Sequence, residues 1–459
     1  MQKANNTDVT EIFRSAPIPK AVFKNTIPAM LAMLMVLIYN LADTFFIAMT
    51  KNDLMVAAVA LTSPVFLLFM AVGNIFGIGG TSVISRALGE NRSDYAKKVC
   101  SFCMWACVAC GIVMTVLIFA FADPILRLVG ASADTWLYAK QYLLICSAAG
   151  PFVLVANCYS NIIRAEGRSE AAMAGQLIGN LLNVILDPIL ILVCHWDVVG
   201  AALATALSNV ISALIYVGYF KFGKSILSIR LKDCSCKNDI VPAVLAIGIP
   251  ASLANILMSV SNMVINSQMA SYDDMAVAGI GVSIKVSMII SLICIGLGQG
   301  IQPMLGYCIG AKDRERYKKA LWFTLIFALI LGVVLELFCY VMLEAIVGAF
   351  LTDKASFTYA VTFSKIMLTT NFLVRRLLCA EQRPSGHGGG KGGICGQCQP
   401  PGTDLYPGTV RSGSTVGYQR SCLDAAGGRC TVTDSGDRAL CACHQEEYHK
   451  NGIICRIPT

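Results

Sequence analysis

Ten times before residue 375 the chain carries an apolar run about as long as a helix needs to cross a bilayer. No other feature restricts its fold so strongly. Inside hydrocarbon a backbone has no water to bond to, so only helices and closed barrels satisfy their amides. Barrel strands alternate apolar and polar residues; these runs do not, so the fold expected is all-α and polytopic. Composition agrees: of 459 residues 56% are hydrophobic and 14% are charged, where a soluble protein carries about 25% charged residues. Mean hydropathy is +0.65. The runs cover residues 25–50, 56–84, 99–122, 137–159, 171–194, 199–220, 243–270, 276–306, 320–342 and 350–374.

Charge between the runs sets an expected orientation. Lys3, Arg14, Lys20 and Lys24 precede the first run. Further clusters follow runs 2, 4, 6 and 8: Arg86, Arg92, Lys97 and Lys98; Arg164 and Arg168; Lys221 to Lys237; and Lys312 to Lys319. Loops after odd runs are poor in Lys and Arg, and one holds Asp273 and Asp274. The positive-inside rule therefore places the N-terminus and the even loops in the cytoplasm. The net charge of +8 is explained by these loops, with no nucleic-acid partner. Met1 to Lys20 is polar and leads straight into a span, so no cleavable signal peptide is expected. Cysteines before the break lie mostly in or beside the spans, as small buried hydrophobes do, and show no disulfide or metal framework.

An internal repeat organises the spans. Ile27-Pro28 is followed by Asn40 as Ile249-Pro250 is followed by Asn262. Gly77, Gly79 and Gly89 recur as Gly298, Gly300 and Gly310. An even number of spans separates the copies, so the repeat is parallel. The expected organisation is two six-helix lobes: an N-lobe over 1–221, a basic cytoplasmic linker over 222–240, and an incomplete C-lobe over 241–374. Only ten of twelve transmembrane helices are then present.

Residues 375–459 are of another kind. They hold 8 of the 20 cysteines, 3 of the 4 histidines and 15 of the 39 glycines, and no span-length run. The repeat calls for a counterpart of Asn161-Ile-Ile-Arg-Ala-Glu-Gly167 near residue 388, but Cys379 to Gly388 bears no likeness to it. Read from the second base of each codon, that stretch permits Ala-Leu-Asn-Asn-Ala-Leu-Gln-Ala-Met-Gly. The same shift over Lys391–Thr409 and Tyr418–Arg438 permits two apolar spans. The tail is therefore expected to be an out-of-frame, disordered segment. The alternative is a zinc-binding interaction module built on Cys395, Cys398, Cys441 and Cys443.

Two acids stand inside apolar runs of the first lobe, Asp43 and Asp187. A carboxylate at that depth marks an ion or substrate pathway unless it snorkels or caps a helix near an interface. Asn183 and Asp187 share a helix face, and Pro188 perturbs the helix just beyond them. Weaker candidates for a substrate cavity are Glu336, Lys285 and Met258, each of which is equally read as a snorkelling, paired or packing side chain.

Asn-Leu-Ala-Asp43, Ile163-Arg-Ala-Glu-Gly167 and Asn183-Val-Ile-Leu-Asp-Pro188, with two lobes and a basic linker, resemble the MATE family of multidrug and toxic-compound exporters. The resemblance spans residues 20 to about 374, and its nearest branch is the DinF- and MepA-like one. It implies a secondary transporter, not an enzyme, that exports organic cations by antiport with protons or sodium. It also implies a cation site of Asp43, Asn183, Asp187 and Thr205, with Tyr39 and Asn180 completing the network. No cofactor beyond the coupling ion is implied. The expected setting is the bacterial cytoplasmic membrane, with a monomer, a lipid bilayer and a small organic cation as partners. A lipid or saccharide flippase is the neighbouring alternative. Loss of two spans would leave the second lobe impaired.

Overall fold

The computed structural model describes residues 7–50, 53–223, 225–235, 239–270, 274–350 and 357–368, without the side chains of 7–10, 44, 48, 53, 254–255, 258–270, 274–278 and 349–350. Among these residues every regular element is helical. A short α1 (Thr7–Arg14) precedes α2 (Ile18–Met49), α3 (Asp53–Gly89), α4 (Ser93–Ala120) and α5 (Ala122–Leu128). Then come α6 (Trp136–Ala148), α7 (Gly150–Ala165), α8 (Ser169–Pro188) and α9 (Asp197–Phe222). The later helices are α10 (Ile240–Ala270), α11 (Asp274–Gly310), α12 (Arg314–Val341), α13 (Leu343–Phe350) and α14 (Phe357–Leu368).

Each of the ten apolar runs is met by a helix. Seven are long and apolar enough to cross a membrane, and α6 with α7 pass the same test only together, as a pair bent by 56°. Run 4, read from its apolar length as one span, breaks at Gly150-Pro151. Pro151 follows Gly150 in the first turn of α7 and lacks the amide that would bond to Ser147. The stranded Ser147 carbonyl is met from α4 by Thr115 Oγ1, at 2.6 Å. A lipid-embedded break is tolerated where a neighbouring side chain satisfies the freed carbonyl in this way. Large apolar side chains remain exposed along the outer helices, among them Phe45, Val116 and Leu337. Such continuous apolar surface matches lipid rather than water.

Four glycines of the internal repeat, Gly79, Gly89, Gly300 and Gly310, lie where the early and late helices meet, while Gly77 packs on Cys158 and Asn161 of α7. A Cβ on Gly300 of α11 would come 2.5 Å from Thr26 Cα of α2, and one on Gly296 would come 2.7 Å from Met30 Cα. On α3, Gly79 abuts the Val244 carbonyl of α10. Gly89 and Gly310 cross each other, each against the other helix's backbone. Small residues permit this backbone-to-backbone approach, which is how membrane helices gain packing energy. Among the described residues these approaches lie in the N-terminal half of α2 and α10 and the C-terminal half of α3 and α11. They therefore share the end of the bundle that holds the start of α2. Ser252 Oγ on α10 also donates to the Ala71 carbonyl of α3, at 2.8 Å, nearer mid-depth.

Two expectations need correction or fall elsewhere. Arg164, counted with the loop cations, is buried inside α7 at 1% exposure. The tail, with Cys395, Cys398, Cys441 and Cys443, lies outside the described residues. Among the described residues no cluster of three or more metal-ligating side chains occurs.

Candidate functional site

The best-formed polar site inside the apolar bundle begins on α8. Gly175, Gly179, Asn183 and Asp187 recur every four residues and are all buried, so they form one stripe. Gly179 presses on Ser212 of α9 and brings the two helices together. At that contact Asn183 Nδ2 reaches Thr205 Oγ1 of α9 at 3.4 Å and Asp187 Oδ1 at 3.5 Å. Both bonds are long, so they position the amide more than they neutralise the acid. The Thr205 carbonyl is held by Ser208 Oγ and Asn209 Nδ2, at 2.9 and 2.8 Å.

Just past Asp187 the helix changes form. Pro188 ends α8, and Ile189–Val193 continue as a π-helical turn in which Cys194 N bonds to the Ile189 carbonyl, at 2.9 Å. Wider turns of this kind recur at functional sites. Gly200 of α9 packs against the Leu190 backbone there and keeps the widened turn close.

Helix α2 supplies the second acid. Tyr39 and Asp43 are four residues apart and share a face; both interact electrostatically with the α8 site, Tyr39 with Asp43 and Asp187, and Asp43 with Asp187. Asp187, Asn183 and Thr205 are fully or nearly buried, while Tyr39, Asp43 and Asn180 are half-buried. Helix α6 adds two groups that the sequence reading missed. Tyr142 lies beside Thr205, Tyr39 and Asp43, and Cys146 lies beside Tyr142 and Asp43. Their four-residue spacing on one helix was the available signal, but a Tyr and a Cys in an apolar run look like ordinary packing residues.

The electrostatics are unbalanced. Asp43 Oδ1, Asn183 Oδ1, Asp187 Oδ2 and Asn180 Nδ2 are buried and have no hydrogen-bond partner among the described residues. Among the described residues no Lys or Arg pairs with either acid; the ion pairs found there are Arg92–Glu90, Lys97–Asp94, Lys140–Asp123 and Lys319–Glu315, all at the surface. Two carboxylates facing each other in low dielectric repel unless a proton or cation stands between them. The three unmatched atoms on Asp43, Asn183 and Asp187 are all oxygens, with the Thr205 hydroxyl beside them. Hard oxygen donors of this kind suit a proton or an alkali cation and not a soft metal.

Glu336 and Lys285 are not brought into this cluster. Glu336 is buried on α12 beside Cys339 and the apolar group of Val282, Val286 and Ile290. Lys285 is exposed on α11, and the Met258 side chain lies outside the described residues.

The MatE family matches residues 28–189 and 250–375. The multidrug export protein MepA of Staphylococcus aureus (strain MRSA252) is 32% identical over 361 residues, covering 79% of this chain and 80% of that protein. MepA of Staphylococcus haemolyticus (strain JCSC1435) is 34% identical over 363 residues, with 79% and 80% covered. Among solved structures, an outward-facing multidrug resistance MATE family transporter of the MOP superfamily superposes with a TM-score of 0.76 at 24% identity, over 80% of this chain and 82% of that one. A MATE in the bent conformation superposes with a TM-score of 0.72 at 25% identity, over 81% of each chain.

Proposed function

Because the chain belongs to the MatE family, whose members are membrane transporters of the multidrug-efflux type, we propose that it exports small organic cations by antiport with protons or sodium. The observation that carries the coupling reading is the pair of acids, Asp43 and Asp187, close enough to interact electrostatically, each with an unmatched buried oxygen and, among the described residues, no ion pair. Thr205, Asn183, Asn180 and Tyr39 complete that site in this reading. When a cation or proton enters, the repulsion between the acids falls. The helices that carry them, α2 and α8, then settle into a different relative position. Only a difference in ion affinity between the two positions can drive such a change.

In this reading α2–α9 form one lobe, α10–α14 belong to the second, and the linker over 222–240 lies in the cytoplasm with the N-terminus. The glycine contacts then seal the cytoplasmic end, so the conformation is outward-facing. The tail beyond residue 374 is read as an out-of-frame replacement for two spans, which leaves transport impaired. That the family match itself stops at residue 375 supports this reading.

Dye efflux tests the coupling site, in cells expressing this chain and in cells whose gene is moved by one base after the codon for Val374. Asp43→Asn and Asp187→Asn should each lower energy-dependent export about tenfold or more, which corresponds to roughly 1.4 kcal/mol on the limiting barrier. Export at the parental rate in both variants would remove the site.

A further inference from the structure

Arg164 is among the largest fully buried side chains of the molecule and carries a full charge at 1% exposure. Its Nη1 donates to Asn161 Oδ1 on its own helix, at 3.1 Å, and to Gln299 Oε1 on α11, at 2.9 Å. Its Nη2 reaches Gln176 Oε1 on α8 at 3.5 Å, and Nε has no partner. Among the described residues it joins no ion pair. A buried guanidinium is ordinarily matched by a carboxylate, because taking a charge out of water is costly. Here it is met by three neutral amide oxygens.

Its position gives that imbalance a consequence. Gln299 neighbours Gly300, whose backbone lies against Thr26 of α2, so the Arg164–Gln299 bond is part of the packed end of the bundle. It lies eleven residues before the end of α11, roughly 16 Å deep at 1.5 Å per residue. When the early and late helices part at that end, water reaches Arg164. While they are packed, the charge is dry and only partly satisfied.

We propose that Arg164 and Gln299 are the latch of this end. The hydrogen bond holds α7 to α11, and the unmatched charge limits how stable the packed state becomes. Arg164 is thus a positioning residue that sets the balance between packed and parted states. The proposal rests on the transporter reading for its purpose, but its test does not require transport.

Amide hydrogen exchange is measured over residues 75–89 and 296–310 in the full chain, reconstituted in lipid nanodiscs. Gln299→Glu places a carboxylate where the guanidinium already points, so exchange there should slow about tenfold. In an Arg164→Gln background the same change buries a carboxylate with no cation, and exchange should quicken instead. Arg164→Gln alone keeps an amide donor and removes the unmatched charge, so it should slow exchange. If Arg164→Gln does not fold, Gln299→Glu and Gln299→Leu in the parental chain should still move exchange in opposite directions. The proposal is overturned if Gln299→Glu acts in the same sense in both backgrounds, if Gln299→Glu and Gln299→Leu agree in sign, or if Arg164→Gln quickens exchange. A latch that responds as expected, together with efflux indifferent to Asp43 and Asp187, would discard the coupling site and keep the latch.

Discussion

Glu166 stands at the C-terminal end of α7, and its completely buried carboxylate accepts from four donors. Tyr219 Oη and Ser225 Oγ reach it at 2.9 and 2.7 Å, and the Ile226 and Leu227 amides at 2.9 and 3.1 Å. The single side chain thereby ties the first part of the linker to α7 and α9, and Gly167 beyond it takes a positive φ of 78° to turn the chain. Glu166→Ala removes the acceptor of all four and leaves the Leu227 amide only Ser225 Oγ, so it should cost roughly 1–3 kcal/mol, read as an earlier thermal unfolding in detergent and faster tryptic cutting at Arg230 or Lys232. Burial pushes the Glu166 carboxyl above its ordinary range, against the pull of those donors. The folded state then holds the proton more tightly than the unfolded state, so this group's contribution to stability falls as pH rises from the ordinary carboxylate range through the raised one. Glu166→Gln should remove that slope, and an unchanged pH profile of melting would count against it. Residues of this sort were only partly legible beforehand. Asp43 and Asp187 stood out because an acid in an apolar run is anomalous on its face. Arg164 and Glu166 lay near a run's end, where charge is ordinary, and only three-dimensional burial separates them from loop residues.

Among the helices, the pattern of apolar runs was enough to locate ten of them, because span length is a property of local sequence. What the runs could not convey is how helices are interrupted and how closely they approach. The bend at Pro151 depends on Thr115 from another helix, and the π turn after Pro188 depends on Gly200 to hold it. Thr115→Val should leave the Ser147 carbonyl without a partner and cost about 1–3 kcal/mol in a detergent melt. The repeat glycines were legible as a pattern but not as a contact. Their purpose is visible by contrast with Gly218 of α9, which has nothing within 4 Å of a would-be Cβ. Gly79→Ala forces a methyl onto the Val244 carbonyl and should destabilise by about 1–3 kcal/mol through overpacking. Gly218→Ala meets no obstacle and should stabilise the helix by about 0.5–1 kcal/mol. Equal melting shifts for the two variants would show that the glycine contacts are not what holds the early and late helices together.

For the molecule as a whole, the repeat makes a demand that the described helices meet only in part. In the first half, α8 packs along α2 and α9 packs along α7, α6 and α8, so these two helices cover the inner faces of the others and carry Asn183, Asp187 and Thr205. Their counterparts in a parallel repeat would begin about 221 residues after Ser169, near residue 390, beyond both the described residues and the family match. Among the described residues no helix of the second half packs along α10 as α8 packs along α2. If the codons after Val374 have lost their phase, moving the frame by one base should restore two apolar spans. The restored chain should then melt later than this one and export dye about tenfold faster, a difference of roughly 1.4 kcal/mol in the limiting step. Its export should also be sensitive to Asp43→Asn. Were this chain to export as well as the restored one, a ten-span bundle would suffice, and the tail would need a physical role of its own. Isolated residues 375–459 binding zinc in stoichiometric amount would supply one, through Cys395, Cys398, Cys441 and Cys443.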